Sequence, residues 1–244
     1  MRRLPIMVAL VLLAGGCGST PPAPQPIVVF AAASLRPAFT ELAAAFQAAN
    51  PDVAVEFSFA GTADLLAQLT GGAGADVFAS ADAPSMDRAV EAAVVDDPVA
   101  FATNTLTIVA APGNPRNIRT FGDLRRVSVV ACAPQVPCGA ALMRIEDATG
   151  VDVAPVSEES SVTDVLNKIL TGQADAGLVY VTDARAAAGK VTAVPIREAP
   201  VAVNTYRIAA TRDAHSPAAA KRFVELVTGL TGREILRRAG FGAP

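Results

Sequence analysis

From residue 27 onward, short apolar runs alternate with helix-forming stretches, and this alternation constrains the fold more than any other feature. Residues 27–30 (Ile-Val-Val-Phe) read as a strand apolar on both faces, as a buried parallel strand must be. A helix follows over 35–49 and stops at Asn50-Pro51, because the residue before proline disfavours helical backbone. Residues 53–59 alternate Val53, Val55, Phe57 and Phe59 as a strand, 63–69 form a helix closed by Gly71-Gly72, and 76–80 form another buried strand before a helix near 84–93. The same pattern predicts strands at 104–111, 127–131, 176–181, 191–196 and 201–210, and helices at 139–149, 162–170 and across 217–239. Such alternation predicts an α/β fold with mostly parallel sheets flanked by helices, whose ligands lie at the carboxyl ends of the strands. No linker divides the chain into sequential domains, and no repeat of fixed period appears. Two lobes therefore require the chain to cross and return; Asn104-Thr105-Leu106 and Val203-Asn204-Thr205-Tyr206 are the candidate crossings, being extended and free of helix signals.

Four of the strand-to-helix turns carry small or hydroxyl-bearing residues: Ala33-Ser34-Leu35, Gly61-Thr62-Ala63, Pro137-Cys138-Gly139 and Ser161-Val162-Thr163. A helix start leaves backbone N–H groups unpaired and bears partial positive charge, so it binds an oxyanion without a cationic side chain. Each turn also has a plain structural reading. Ser34 fits an N-cap for 35–49 and Thr62 one for the helix beginning at Ala63. Ser161-Val162-Thr163-Asp164 resembles a capping box with Asp in place of Glu, which leaves the N–H of Val162 for a ligand. Tyr180 ends a strand and serves either the core or a site at the strand end.

A formal net charge of −3 excludes a phosphate-backbone binder, which needs clustered Lys and Arg, so no nucleic-acid partner is expected. The three arginines over 233–238 read as a solvated helix face. At the N-terminus, Arg2 and Arg3 precede an apolar run over 4–14 that is too short for a permanent bilayer helix, then Gly15-Gly16-Cys17. Residues 1–17 thus read as a lipoprotein signal peptide in which Cys17 is acylated, although Leu13 lies one place farther from Cys17 than usual in such motifs. Residues 18–26 form a Pro-rich tether with a reach of roughly 30 Å. In an exported chain the remaining pair, Cys132 and Cys138, favours a disulfide over a metal site, since the only histidine is His215.

Enzyme signatures are missing: there is no nucleophile elbow, no phosphate-binding P-loop and no zincin motif. Gly72-Ala73-Gly74 is followed by Asp76 rather than the third glycine of a dinucleotide fingerprint and reads as a turn. A hydrolase would have to use Ser34 with the lone His215 as its base.

Phe30-Ala31-Ala32-Ala33-Ser34-Leu35, Phe59-Ala60-Gly61-Thr62 and Ala75-Asp76-Val77-Phe78-Ala79-Ser80-Ala81-Asp82 with Met86-Asp87 resemble the periplasmic molybdate-binding proteins of ABC importers. Val136-Pro137-Cys138-Gly139, Asp175-Ala176-Gly177-Leu178-Val179-Tyr180 and Ala239-Gly240-Phe241 continue the likeness, which runs from residue 27 to the C-terminus. The resemblance implies a two-lobed periplasmic-binding-protein fold (type II) with the ligand in the interlobe cleft. One lobe would span 27–104 with 206–244, the other 105–205. It implies a non-enzymatic extracytoplasmic protein, anchored through Cys17 or periplasmic, that hands molybdate or tungstate to a membrane permease. Sulfate or phosphate is the alternative ligand. No cofactor is implied, the metal being held only as its oxyanion, and the protein is expected to be a monomer. The implied ligands are Ser34 and Thr62 from one lobe and Cys138, Val162 and Tyr180 from the other. Thr62 replaces the more usual Ser and keeps its hydroxyl. Cys138 replaces a small residue whose backbone N–H donates, which is tolerable if its side chain turns away into a bridge with Cys132. A fully ionised oxyanion only accepts hydrogen bonds, so neutral donors suit it and a carboxylate would repel it. Glu158 and Glu159 are accordingly expected to face solvent.

Overall fold

The computed structural model describes residues 25–244, so the leader, Cys17 and tether residues 18–24 lie outside the described residues. The described part of the expected tether is not a tether: Gln25 and Pro26 open the first strand, β1 (Gln25–Ala32), pairing with Val53 and Ala54. A 3-10 turn (Ala33–Leu35) leads into α1 (Arg36–Ala49), followed by β2 (Val53–Ala60), α2 (Thr62–Thr70), β3 (Val77–Ser80), α3 (Ala83–Glu91) and β4 (Val99–Asn104). Beyond Thr105 come β5 (Leu106–Ala110), β6 (Val129–Cys132), α4 (Pro137–Thr149), β7 (Ser157–Glu159), α5 (Val162–Leu170), β8 (Ala176–Tyr180), α6 (Val181–Ala186) and β9 (Thr192–Pro195). A 3-10 turn (Ala199–Ala202) precedes β10 (Asn204–Ala210), and α7 (Pro217–Thr228) and α8 (Leu230–Ala239) close the chain.

The strands form two five-stranded sheets, ordered β2-β1-β3-β10-β4 and β7-β6-β8-β5-β9. In each sheet four strands share a direction and one runs against them: β10 is antiparallel to β3 and β4, and β5 is antiparallel to β8 and β9. The dissenting strand is the one that arrives from the other sheet. A chain crossing between sheets that face each other at their carboxyl ends enters from that end, and so runs backward. The α/β expectation of mostly parallel sheets holds with this one exception per sheet.

β1 shows why a run apolar on both faces belongs in a doubly covered sheet. Ile27 and Val29 face a core shared with Phe39, Leu42 and Phe46 of α1, whose rings meet Phe223 of α7 edge-on at 6.1 and 5.4 Å for Phe39 and Phe46. Phe30 faces the opposite core, with Leu65 and Leu66 of α2, Phe78 and Met86. Edge-to-face rings at this separation add to the burial of their area.

Several expected boundaries moved. The segment 104–111 is two strands in different sheets, because Asn104 turns the chain by accepting from the N–H of Thr105 through its own side chain at 3.0 Å. β7, an edge strand of three residues, carries Ser157, Glu158 and Glu159 and is too short to show an apolar pattern. α6 follows β8 with no intervening loop, started by the Asp183 carboxyl, which accepts from the N–H of Tyr180 at 3.0 Å. The return crossing ends at Asn204, so the strand expected from residue 201 begins three places later. Among the described residues, no helix is long and apolar enough to cross a membrane.

Candidate oxyanion-binding site

Six strand ends meet at one small cavity. From the first sheet come Ala32, Ala33 and Ser34 after β1, Gly61 and Thr62 after β2, and Ala81 after β3. From the second come Pro137 and Cys138 beyond β6, Ser160, Ser161 and Val162 after β7, and Tyr180 at the end of β8. All five residues singled out as ligands, Ser34, Thr62, Cys138, Val162 and Tyr180, line it. Among the described residues no charged side chain does. The cavity volume is about 20 Å³. A single water needs about 10–15 Å³, so the space suits one compact ion and not a sugar or amino acid.

The lobes touch at this cavity. A Cβ on Gly61 would lie 2.2 Å from the Ser160 carbonyl oxygen, so only glycine lets the β2 turn and the β7 turn approach so closely. The helix starts supply unpaired donors. Ser161 caps α5, accepting from the N–H of Asp164 at 3.3 Å while its carbonyl takes the N–H of Val165 at 3.2 Å; the expected capping box is only half formed, since the Asp164 carboxylate accepts from Ser161 Oγ at 2.7 Å rather than from the Ser161 N–H. The first N–H groups of that helix, Val162 and Thr163, then have no partner inside it. In α4 the bond from Ala140 N–H to the Val136 carbonyl (2.9 Å) and the missing N–H of Pro137 leave Cys138 and Gly139 in the same position. Cys138 is bridged to Cys132 with their Cα atoms 5.7 Å apart, so its side chain is held away from its own N–H. Gly139 is required there, since a Cβ would fall 1.9 Å from the carbonyl oxygen of Ala133.

The hydroxyls behave differently from simple caps, which corrects two expectations. Ser34, 3% exposed, sits inside the 3-10 turn rather than at the cap of α1, and its Oγ pairs with the Tyr206 hydroxyl at 2.9 Å. Thr62 is the first residue of α2 rather than its cap, and its Oγ1 accepts from the N–H of Ala81 at 3.1 Å. That acceptance leaves the Thr62 proton free to be donated. The Tyr180 hydroxyl accepts from Asn204 Nδ2 at 2.8 Å, and burial first, then the nearby Tyr206, push its ionisation far above the ordinary phenol range. Tyr180 is therefore a neutral donor at any physiological pH. Burial also raises the Asp183 carboxyl to about 7.

Glu158 is exposed as expected, but Glu159 is not turned to solvent. Its carboxylate binds Lys168 Nζ and accepts from Ser157 Oγ at 2.6 Å; burial alone would raise its ionisation, and these two partners outweigh it and hold the group below the usual range. It is kept out of the cavity by pairing rather than by hydration. His215 packs beside Gly74 and is not among the lining residues, so Ser34 faces a phenol and not an imidazole. Among the described residues, no group of three or more His, Cys, Asp or Glu side chains is placed to hold a metal ion. Sequence reasoning missed Tyr206 and Asn204 as parts of the site. It marked 203–206 only as a crossing, and the pairings of these side chains exist only once both sheets are built.

Comparison with known proteins agrees with this geometry. Residues 27–242 match the family described as bacterial extracellular solute-binding protein. The molybdate-binding protein ModA of Mycobacterium tuberculosis is 54% identical over 252 aligned positions, covering 98% of this chain and 97% of that protein. ModA of Escherichia coli is 29% identical, covering 88% of each chain. Among solved structures, the periplasmic molybdate-binding protein of Azotobacter vinelandii superposes with a TM-score of 0.78 at 21% identity, covering 89% of this chain and 99% of that one. The sulfate-binding protein SubI of M. tuberculosis also gives 0.78, at 22% identity and covering 89% and 86%. These two structures share the fold, a mixed α/β architecture of two-lobed binding proteins. The chain belongs to the bacterial extracellular solute-binding protein family, in the group that includes the ModA proteins.

Proposed function

We propose that this protein is an extracytoplasmic binding protein that captures molybdate, and tungstate with it, and delivers the anion to the permease of an ABC importer. The observation that carries the reading is a small cavity whose lining includes neutral donors and no charged side chain, in a chain 54% identical along its length to a molybdate-binding protein. Ser34 and Thr62 donate from one lobe (27–104 with 206–244), and Tyr180 and the N–H groups of Cys138 and Val162 from the other (105–205). The protein performs no chemistry on its ligand, acts as a monomer, and is tethered to the outer face of the cell membrane through acylated Cys17.

Sulfate and molybdate share charge and shape, so discrimination rests on size. Donors set for the larger anion would leave sulfate with stretched bonds and its desolvation poorly offset. Sulfate or phosphate remains the alternative that the fold alone permits, since a sulfate-binding protein shares it; the 54% identity favours molybdate. Thermal unfolding with each anion separates these readings. Ligand at a hundredfold over its dissociation constant adds about 2.7 kcal/mol, or about 5–10 °C for a chain of this size. Shifts with molybdate and tungstate alone support the proposal. A shift with sulfate or phosphate alone replaces the ligand, and no shift with any anion refutes the reading.

A further inference from the structure

Asn204 is the first residue of β10, reached directly from the second crossing between the sheets, and it is 2% exposed. Its side chain touches both lobes. Nδ2 donates to the Tyr180 hydroxyl at 2.8 Å and to the carbonyls of Pro137 at 3.2 Å and Ala81 at 3.1 Å, so its two protons are shared among three acceptors. Oδ1 accepts from Arg144 Nη2 at 3.0 Å. A guanidinium can only donate and the Pro137 and Ala81 carbonyls can only accept, so all three agree on which way the amide points: Oδ1 must face Arg144, and Nδ2 must face Tyr180. An amide N–H facing the phenol then obliges its oxygen to accept. The phenol has a single proton, which makes no hydrogen bond to a protein acceptor among the described residues. Tyr180 lines the cavity, so that proton is left for whatever occupies it.

Resting on the functional reading above, we propose that Arg144 and Asn204 form a donor relay that positions the Tyr180 hydroxyl toward the bound oxyanion, with Asn204 acting as a positioning residue and Arg144 as the group that holds its Oδ1 in place. Tyr206, two residues along the same strand and so on the same face, pairs with Ser34. The start of β10 thus touches one anion-facing hydroxyl from each lobe. Without Arg144 the Pro137 and Ala81 carbonyls still orient the amide, but Oδ1 loses the partner that holds it, which loosens Nδ2 against the Tyr180 oxygen and the direction of the phenol proton with it.

The test is a pair of double-mutant cycles read by titration with sodium molybdate. Tyr180→Phe removes the final donor and should weaken binding by about 10- to 100-fold. Asn204→Ala should weaken it about tenfold, and Arg144→Met, at an exposed position that folding tolerates, about three- to tenfold. In the Tyr180→Phe background the Arg144→Met effect should shrink to less than about twofold, and Asn204→Ala should lose most of its effect. The relay is refuted if Arg144→Met costs the same with and without Tyr180, because then its charge acts on the anion through space. It is equally refuted if the Asn204 and Tyr180 effects multiply fully. Should Asn204→Ala misfold, the Arg144 cycle decides alone. The chain has two tyrosines and no tryptophan, so a molybdate-induced tyrosine difference spectrum gives a second readout. It should diminish in Arg144→Met, and an unchanged spectrum counts against the relay. If the parent protein binds no molybdate, the functional reading fails first and the relay with it; binding by the parent with uncoupled variants overturns the relay alone.

Discussion

Gly61→Ala should abolish tight binding while leaving the unliganded protein as stable as before. In the structure an added Cβ would lie 2.2 Å from the Ser160 carbonyl oxygen and 3.2 Å from its carbonyl carbon. A carbon-to-oxygen contact needs about 3.3 Å, so the turns must separate by about 1 Å. Ser160 precedes the α5 start, and its displacement carries the second lobe's donors away from those of the first. A hydrogen bond of about 2.9 Å stretched by that amount is no longer one. Losing two bonds to a charged ligand at about 1.5–3 kcal/mol each costs about 3–6 kcal/mol, or about 10²- to 10⁴-fold in Kd. The backbone of Gly61, at φ −57° and ψ 141°, is open to alanine, so the first lobe should fold as before. Titration calorimetry with molybdate and an unliganded melting curve together provide the assay. Affinity within about threefold of the parent would refute the argument, because it would mean that the Gly61–Ser160 approach does not limit closure. A large fall in the unliganded Tm would also refute it, by showing that the contact belongs to folding and not to ligand capture.

Three further outcomes follow from the same geometry. Thr62→Val keeps the shape of a residue 2% exposed but removes the oxygen that accepts from Ala81 N–H and that we propose donates to the anion; molybdate binding should weaken by about 10- to 100-fold, measured by titration, with a stability loss of about 1–2 kcal/mol. Reducing the Cys132–Cys138 bridge, whose sequence separation is 6, should destabilise the protein by about 2–2.5 kcal/mol on the chain-entropy model. The Tm should fall by about 5–8 °C with reductant, and binding should weaken because the bridge anchors the start of α4. Asp183 is raised from 3.8 to about 7 by burial, so the folded state holds a proton that the unfolded chain has released between those values. Its contribution is fully present below about pH 4 and is lost as pH rises through about 7, by up to about 4 kcal/mol; Asp183→Asn should flatten denaturant-derived stability across that window, and an unchanged slope refutes the assignment.

Much of the fold was legible in the sequence because it depends on local patterns. A run such as Ile27-Val28-Val29-Phe30 has apolar groups on both faces and has no stable home except a sheet covered on both sides, and the helices that cover it announce themselves by periodicity and by stops such as Asn50-Pro51. Ser161 was legible as a cap because capping is a bond within one turn. Ser34 and Thr62 were assigned caps on the same reasoning and do not cap, since partners distant in sequence, Tyr206 and Ala81, claim their oxygens. β7 gave no signal because three polar residues, Ser157, Glu158 and Glu159, are too few to show a period, and 104–111 read as one strand because apolar content does not say to which sheet a residue belongs.

The alternation of strand and helix, the convergence of small residues at strand ends and the pairing of Cys132 with Cys138 were therefore determined by sequence, each through propensity, backbone freedom or short separation. Only the tertiary structure decided which hydroxyls keep a proton to donate, where Gly61 meets Ser160, and that Asn204 joins the two lobes. A donor's direction is set by what its other lone pairs and protons already hold, and here those partners lie 19 to 172 residues away along the chain.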